Sequence, residues 1–335
     1  MRKKILVTGV GGYIGSITAY TLLEKGYKVI GIDNFSTGFK QPLENLTQQF
    51  GHKQFKFYQA DLLNDISFIF KKEKNIDVII HLAGNCSVDE SIHKPEKYFT
   101  NNVVASQNLI ATMLRFKINR IVFSSTCAVY GETNKIVDET KDRCPTNPYG
   151  ESKKMTEDML HWYGKAHDFH YVILRYFNVC GATEDGLFGD SKKPSTHLIQ
   201  NAVRAALGIE KLQLTCPKVN TPDGTTIRDY VNVVDLSNAH IKAVEYLLKG
   251  GKNNAINISG GKGSSVLEII KKVEKITGVK IPFKRGSTRQ GEYSTMTASY
   301  KKAHTLLNWR PQKSVDDSIK SLINWYKKTP HGWDY

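Results

Sequence analysis

Near its start the chain reads Ile5-Leu6-Val7-Thr8-Gly9-Val10-Gly11-Gly12-Tyr13-Ile14-Gly15, a short apolar run followed by a glycine-rich turn. The apolar run predicts a β-strand over residues 5–8, and residues 16–25 predict a helix directly after the turn. Because Gly9, Gly12 and Gly15 lack a Cβ atom, they let the turn tighten, let backbone N–H groups approach a pyrophosphate, and let the helix pack close to the strand. The stretch therefore indicates a dinucleotide-binding turn, and its place between a strand and a helix supports this interpretation.

Other β-branched runs alternate with helical segments through the first half of the chain. They lie at residues 28–33, 55–60, 78–82, 120–125 and 171–176. This alternation predicts parallel βαβ units, and the unbroken apolar character of residues 78–80 and 121–123 fits strands covered on both faces. We therefore predict the α/β class, with a doubly wound parallel Rossmann sheet in residues 1–178. A smaller mixed α/β lobe that binds substrate is expected in residues 179–335, with excursions of the second half back to the first.

Acidic and small residues at the strand ends suggest how a dinucleotide would be held. The second predicted strand ends at Asp33, about 20 residues beyond the glycines, where a carboxylate can accept hydrogen bonds from the adenosine ribose. It favours NAD, because a carboxylate would repel the 2′-phosphate of NADP. Asp61 is placed to meet the adenine edge, and Leu82 and Ala83 bring small groups beside the cofactor. For each of these residues an ordinary turn position is the simpler alternative.

A tyrosine and a lysine lie four residues apart in Pro148-Tyr149-Gly150-Glu151-Ser152-Lys153. On a helix, positions i and i+4 share one face, so Tyr149 and Lys153 point the same way. A free tyrosine has a pKa of about 10, and a nearby ammonium group favours its ionised form. We therefore expect Lys153 to lower the pKa of Tyr149 and make it a general base near neutral pH. Thr126, at the end of the fifth predicted strand, is expected to relay a hydrogen bond between substrate and Tyr149, although a strand-end hydroxyl bonded to backbone is the simpler alternative.

Composition and charge narrow the class of protein. The chain has 335 residues, 40% of them hydrophobic, and 47 Lys and Arg against 32 Asp and Glu give a net charge of +15. The basic residues occur in short pairs such as Lys71-Lys72, so we expect a solvated basic surface and no nucleic-acid partner. No stretch approaches the roughly 20 apolar residues that span a membrane, and we expect a cytoplasmic protein without membrane contact. The five cysteines are scattered without metal-ligand spacing, so we expect reduced thiols and no metal.

Several motifs, in order along the chain, carry a resemblance to a known family. They are VTGVGGYIGS (7–16), IDNFSTG (32–38), HLAG (81–84), SVDESIHKPEKYFTNNV (87–103), SSTCAVYGE (124–132), PYGESK (148–153), LRYFNVCGA (174–182), DGTTIRDYVNVVDL (223–236) and LNWRP (307–311). Together they cover nearly the whole chain. They resemble the extended short-chain dehydrogenase/reductase family, in its NAD-dependent epimerase/dehydratase branch.

The resemblance implies a hydride shuttle on tightly held NAD, with a UDP-hexose such as UDP-glucose or UDP-galactose as substrate. It implies that Tyr149 removes the proton from the sugar 4-hydroxyl while the C4 hydride passes to the nicotinamide. The 4-keto sugar would then swing about its phosphate linkage and receive the hydride on its opposite face. Lys153 would also hold the nicotinamide ribose. The sequence leaves open whether N-acetylated UDP-hexoses are accepted.

The resemblance also implies contact residues. Those for the cofactor include Tyr13, Ile14, Asp33, Asn34, Asp61, Leu62, Asn101 and Phe177, and those for the UDP-sugar are Asn178, His197, Leu198, Arg228, Arg289, Glu292 and Met296. The two arginines are expected to bind the diphosphate, because guanidinium binds phosphate bidentately. Glu292 departs from a common Asp, Met296 lies where the family varies between Tyr and small residues, and Cys86 lies where some members have Lys. The helices at residues 101–116 and 149–166 resemble those of a dimer's four-helix bundle, which implies a C2 homodimer.

Two other classes of function remain open. A sugar-nucleotide 4,6-dehydratase, decarboxylase or UDP-glucuronate epimerase would share the turn, the Tyr-Lys pair and UDP binding. The first two usually need an Asp or Glu beside the threonine, where this chain has Cys127-Ala128. A non-catalytic protein that senses NAD or binds nucleic acid would be expected to lose Tyr149 or Lys153, and both are present.

Overall fold

A computed structural model describes residues 2–133, 136–192, 195–214, 219–285 and 293–333, with residues 284 and 285 described by their backbone alone. The strands are β1 Lys4–Thr8, β2 Lys28–Asp33, β3 Phe55–Gln59, β4 Val78–His81, β5 Arg120–Thr126, β6 His170–Tyr176, β7 Asn178–Cys180, β8 Leu212–Leu214, β9 Ile227–Asn232, β10 Asn254–Ile258, β11 Gly263–Ser265, β12 Phe283–Arg285 and β13 Thr295–Met296. The helices are α1 Tyr13–Glu24, α2 Gln41–Phe50, α3 Ser67–Lys72, α4 Val88–His93, α5 Pro95–Tyr98, α6 Ala105–Arg115, α7 Pro148–Ala166, α8 Leu198–Ala206, α9 Val233–Leu248, α10 Val266–Thr277, α11 Lys301–Leu307 and α12 Val315–Lys328. A π-helix, Phe99–Val104, precedes α6, and a 3₁₀ turn, Cys127–Val129, follows β5.

The main sheet runs parallel in the order β3-β2-β1-β4-β5-β6-β10. This is the strand order of a doubly wound Rossmann sheet with one further strand at its edge. The prediction of the α/β fold is confirmed, and each of the six predicted strands has bounds within one residue of those expected. The seventh strand, β10, comes from the second half of the chain. Because the strand order reverses between β1 and β4, a ligand is expected at the carboxyl ends of these two strands.

Both faces of the sheet are buried, as the apolar runs predicted. Ile5 and Val7 of β1 belong to the hydrophobic cluster that contains α1, α2 and α9. Leu6, between them, belongs to the cluster on the other face, which contains α3, α6 and α7. All three side chains are fully buried. Alternate side chains of one strand therefore pack against different helical layers, which fixes the carboxyl ends of the strands in a rigid frame.

The smaller sheet lies in the second half of the chain and is centred on β9. Strands β7 and β13 run parallel to β9, and β11 runs antiparallel to it. Helices α8, α10 and α12 pack against one another. Helix α10 begins after Ser265, which forms a capping box with Glu268. In the part of the chain that the structure describes, no helix is both long and apolar enough to cross a membrane.

Candidate active site

The glycine-rich turn leaves no room for side chains. Gly9 has φ +69°, and a Cβ atom there would lie 2.7 Å from the backbone nitrogen of Ala83. A Cβ atom on Gly15 would lie 2.0 Å from the carbonyl oxygen of Gly9. Gly12 is the N-cap of α1, and that helix begins at Tyr13, three residues before the predicted start. The turn therefore exposes backbone at the start of a helix, which is the geometry that receives a diphosphate.

Asp33 connects the turn to the end of β2. Its two carboxylate oxygens accept hydrogen bonds from the backbone nitrogens of Gly11 and Phe35, each at 2.8 Å. Burial raises the pKa of Asp33, while these two N–H groups oppose the rise. Next to it, the Asn34 amide donates to Asp61 at 2.9 Å, which brings the acidic ends of β2 and β3 together. The arrangement places carboxylates where ribose hydroxyls of a dinucleotide would lie.

A cleft that is open to solvent lies along the carboxyl ends of β1, β2 and β4. Nine of the residues predicted to contact a cofactor line it: Gly9, Gly12, Asp33, Asn34, Asp61, Leu62, Leu82, Ala83 and Asn101. Sequence reasoning did not assign Ser36, Thr37 and Gly38, which line it as well. They belong to the IDNFSTG motif, so the signal was present in a stretch already singled out. The cleft and the cradle of glycines therefore fit a dinucleotide.

Four other predicted cofactor residues are not among those that line this cleft. Gly15 packs beneath Gly9, and Ile14 packs against the main core. The Tyr13 hydroxyl donates to the carbonyl of Gly181, so this side chain connects the turn to the second half of the chain. Phe177 is buried in a small hydrophobic cluster with Met296.

Tyr149 and Lys153 lie on one buried face of α7, as their spacing predicted. Asn147 is the N-cap of this helix, its side chain accepts a 2.9 Å hydrogen bond from Gly150 N, and Pro148 occupies the first turn. Tyr149 is 8% exposed and Lys153 is 5% exposed. The capped and proline-initiated helix therefore presents both polar groups to the carboxyl end of β5 instead of to solvent.

The pKa of Tyr149 is raised in the described structure, whereas the sequence predicted that Lys153 would lower it. Burial raises the pKa of Tyr149 well above its usual value, and the nearby Tyr176 and Cys86 raise it further. The Nζ atom of Lys153 donates a 3.0 Å hydrogen bond to the carbonyl of Ser124. Burial also lowers the pKa of Lys153 to about 8. Desolvation of both groups therefore outweighs the attraction that the i, i+4 spacing suggested.

Thr126 closes β5 beside Tyr149. Its hydroxyl oxygen accepts a 3.2 Å hydrogen bond from Ala128 N, so its proton is free to be donated elsewhere. A hydrogen bond from Thr126 opposes the rise in the pKa of Tyr149. Cys86, for which sequence reasoning had no interpretation, is exposed and lies near enough to affect the pKa of both Tyr149 and Lys153. The thiol is therefore an unanticipated neighbour of the two candidate catalytic groups.

Glu157 extends the buried face of α7 by one more turn beyond Lys153. It accepts hydrogen bonds from Ser125 Oγ at 2.5 Å and from Arg175 at 3.0 and 2.6 Å. Arg143 also pairs with it at 3.1 Å. These bonds join α7 to β5 and β6, so Glu157 fixes the position of the candidate catalytic helix. Sequence reasoning missed it, although the i, i+4 spacing after Lys153 was visible.

Three of the predicted substrate residues lie on the small sheet. Asn178 is in β7 and donates to the carbonyl of Asp229 at 3.0 Å. Arg228 of β9 lies opposite Met296 of β13 in register. Burial raises the pKa of Cys127 to about 11, and the charge of Arg228 opposes this rise. The small sheet therefore brings Arg228 close to the residue that follows Thr126, at the carboxyl end of β5.

His197 is the N-cap of α8, and Leu198 begins that helix. The His197 side chain pairs with Asp190, a residue that sequence reasoning did not single out. Arg289 and Glu292 lie outside the described residues. Within those residues, no three His, Cys, Asp or Glu side chains come together as metal ligands.

Fold and site together define a Rossmann-fold dinucleotide-binding protein with a tyrosine and a lysine at the end of its fifth strand. A sequence model of the NAD dependent epimerase/dehydratase family matches residues 5–259, and the chain belongs to this family. It is 41% identical to a UDP-glucose 4-epimerase of Halalkalibacterium halodurans over 98% of this chain and 97% of that one.

Solved structures of epimerases also match this chain over nearly its whole length. The UDP-glucose 4-epimerase from Bifidobacterium longum, in complex with NAD+ and UDP, matches with a TM-score of 0.93 and 35% identity, over 99% of this chain and all of that one. The UDP-Glc/GlcNAc 4-epimerase from Campylobacter jejuni matches with a TM-score of 0.82 and 38% identity, over 97% and 99% of the two chains. The resemblance to the family is therefore confirmed.

Proposed function

We propose that this protein is a UDP-glucose 4-epimerase, which inverts C4 of UDP-hexoses with NAD as cofactor. One observation carries the proposal: Tyr149 and Lys153 are buried together against the end of β5, next to a cleft whose glycines and Asp33 suit a dinucleotide. Relatives that this chain matches over nearly their whole length are named UDP-glucose 4-epimerases. Residues 1–178 would bind NAD, and residues 179–335 would bind the UDP-hexose.

The cofactor would be held by backbone and carboxylates. The turn from Gly9 to Gly15 would receive its diphosphate, and Asp33 would accept hydrogen bonds from the adenosine ribose. Asn34, Asp61 and Leu62 would surround the adenine end, with Leu82, Ala83, Asn101 and Phe177 toward the nicotinamide. When bound, NAD supplies an acceptor and donor of hydride and the positive charge of its oxidised ring.

Tyr149 would act as the base for the sugar 4-hydroxyl, with Thr126 donating a hydrogen bond that favours the phenolate. In the described structure, burial keeps Tyr149 protonated. A charge close to its hydroxyl is therefore required before it can accept a proton, and Lys153 is the cation placed one helical turn away. A shift of the Lys153 ammonium from the Ser124 carbonyl toward a ribose and Tyr149 would supply that charge.

The small sheet and α8 would bind the UDP-hexose. Arg228, with Arg289 from outside the described residues, would pair with the diphosphate. Asn178, His197 and Leu198 would contact the nucleotide-sugar, and Glu292 would contact the uridine ribose. Met296 would lie beside the sugar, where its flexible side chain would affect whether an N-acetyl group is admitted. Binding mainly through UDP leaves the 4-keto sugar able to turn and present its other face.

A dehydratase or decarboxylase needs an acid or base beside Thr126, and the residues around it do not favour that function. Cys127 follows Thr126, and burial raises the pKa of this thiol to about 11. Glu157 is the carboxylate bonded to neighbouring Ser125, and it is also engaged by Arg175 and Arg143. Its carboxylate oxygens are therefore occupied by Ser125 and two arginines instead of facing a substrate.

A homodimer built on α7 and the π-helix is part of this proposal. Met155 and Trp162, seven residues apart on α7, are 39% and 65% exposed, and Val104 of the π-helix is 44% exposed. Residues seven apart on a helix share one face, so the exposed apolar side chains form a stripe suited to a second copy. The four described cysteines are free thiols, which suits the reducing cytoplasm as its compartment.

Incubation of the purified protein with UDP-galactose, UDP-GlcNAc and UDP-glucuronate in separate reactions, with products resolved by NMR, tests the proposal. We expect UDP-galactose and UDP-glucose to interconvert. The Tyr149→Phe variant is the matched control, because it keeps the ring and loses the proton acceptor. A 4-keto-6-deoxy product, or no conversion of any UDP-hexose by NAD-loaded protein, would refute it.

A further inference from the structure

A buried carboxylate pairs with a histidine at the start of α8, apart from the catalytic groups. Asp190 is 1% exposed, and its Oδ2 atom lies 2.9 Å from Nδ1 of His197. Lys192 N donates to the other carboxylate oxygen at 3.1 Å, and Ser195 Oγ donates to Oδ2 at 3.3 Å. Because Nδ1 faces a carboxylate, it keeps its proton, and the ring has a fixed orientation.

The charged and titratable groups around Asp190 come from three parts of the chain: Tyr13 of α1, Tyr326 of α12, and Lys192 and His197 before α8. Burial alone raises the pKa of Asp190, but the hydrogen bond and charge of His197 lower it below its usual value. Burial, and next Asp190, raise the pKa of Tyr13 and Tyr326, so both hydroxyls stay neutral. The imidazole is therefore the side chain in contact with Asp190 that can balance its charge.

The same histidine is the N-cap of helix α8, and the first N–H groups of this helix are a possible binding site for an anion. As the N-cap of α8, the His197 side chain makes no capping hydrogen bond among the described residues, since Nδ1 is directed at Asp190. No acidic side chain occurs in the first turn. The first N–H groups of a helix favour an anion. Nε2 is not used by the Asp190 bond, and the side chain is 32% exposed, so ring and helix start can both donate to one anion.

We propose that Asp190 is a positioning residue that holds His197 for the diphosphate of the UDP-hexose. This rests on the proposed function. Nδ1–H stays bonded to Asp190, and Nε2–H of the protonated ring donates to a phosphate oxygen. Any proton that the ring takes up when the anion binds comes from solvent, and it returns to solvent on release. A diphosphate of NAD has the same chemistry and lies near Tyr13, whose ring is 6.3 Å from that of His197, so the test separates the two sources.

Calorimetric titration of NAD-loaded protein with UDP at pH 8, in two buffers of different ionisation enthalpy, measures proton uptake directly. Wild-type protein is expected to take up protons on binding, because the proposed contact needs a proton on Nε2 of His197 as well as on Nδ1. Asp190→Asn and His197→Gln are each expected to weaken UDP binding by about 10-fold, the loss of one charge-assisted hydrogen bond. Both should abolish the proton uptake and keep the NAD content. Asp168→Asn is the matched control, since Asp168 forms an exposed pair with His170 at 2.8 Å.

The double variant separates positioning from a purely structural role. If Asp190 acts through His197, Asp190→Asn should change UDP affinity little once His197 is Gln. Losses that multiply to about 100-fold, or proton uptake that persists in His197→Gln, would overturn the proposal even if Asp190→Asn does not fold. Loss of NAD without loss of UDP affinity would overturn it too, by assigning the pair to the cofactor. If UDP binding is linked to proton uptake but no UDP-hexose is converted, the proposed function is refuted. The inference about Asp190 and His197 is not contradicted by that result.

Discussion

The Nζ atom of Lys153 donates a 3.0 Å hydrogen bond to the backbone carbonyl of Ser124 at the end of β5. The ammonium also lies 4.9 Å from the centre of the Phe123 ring. The fold therefore buries a positive charge against a strand, and burial lowers the pKa of Lys153 to about 8. Such a charge costs stability, and its retention is typical of a functional site.

Replacing Lys153 with Met should stabilise the NAD-free protein at pH 7. The pKa falls from 10.5 to about 8 on folding, so the buried charge costs up to about 3 kcal/mol. Between these values the native state has lost the proton and the unfolded state keeps it, so wild-type stability rises with pH. The advantage of Lys153→Met should therefore shrink between pH 7 and pH 10 in urea unfolding experiments. A variant less stable than wild type at pH 7 would contradict the burial penalty.

The same variant should lose activity while it gains stability. Without the ammonium, Tyr149 ionises less readily, so the rising limb of the kcat profile should move to higher pH and NAD should be retained less well. Lys154→Met is the control, because Lys154 pairs with Glu151 and Asp158 at the surface of the same helix. A pH–rate profile unchanged by Lys153→Met would argue against the electrostatic role.

Tyr149→Phe should reduce epimerisation by on the order of 10² or more. The ring still fills its buried site, so NAD content and UDP affinity should stay near those of wild type. Tyr163→Phe, about four helical turns further along α7 and also partly buried, is expected to keep activity. Single-turnover rates with UDP-galactose measure the difference. Near-normal turnover by Tyr149→Phe would remove this residue from the mechanism.

Gly15→Ala should abolish NAD retention and destabilise the fold. The added Cβ would lie 2.0 Å from the Gly9 carbonyl oxygen, so the backbone of the turn must move, at a cost of about 1–3 kcal/mol. Gly26→Ala is the control: Gly26 has φ +80° and open space around it, so it tests backbone strain without a clash. Absorbance of NAD released from the purified variants gives the readout. Full NAD content in Gly15→Ala would contradict the described turn.

The sequence alone predicted those features that depend on residues close to one another in the chain. Strand bounds, the glycine turn and the shared face of Tyr149 and Lys153 follow from periodicity and backbone sterics. The sequence alone did not predict contacts between residues that are far apart in the chain. The Ser124 carbonyl that binds Lys153 and the Asp190 that pairs with His197 could not be assigned, because no spacing rule connects them. Burial, which raises the pKa of Tyr149, likewise depends on the packed structure.

Trp162→Asp should convert the proposed dimer to a monomer. Trp162 is 65% exposed on α7, and burying a charge there without a partner would cost several kcal/mol of association energy. Phe68→Asp is the matched control, since Phe68 is an exposed aromatic residue (52%) on a different helix, α3. Sedimentation velocity at micromolar concentration should show a dimer for wild type and Phe68→Asp, and a monomer for Trp162→Asp. Because Tyr149 and Lys153 lie on the opposite, buried face of α7, any loss of activity should follow dissociation, and recovery at high protein concentration would show that it does. A monomeric wild-type protein would refute the proposed dimer, and a dimer that survives Trp162→Asp would place its interface elsewhere.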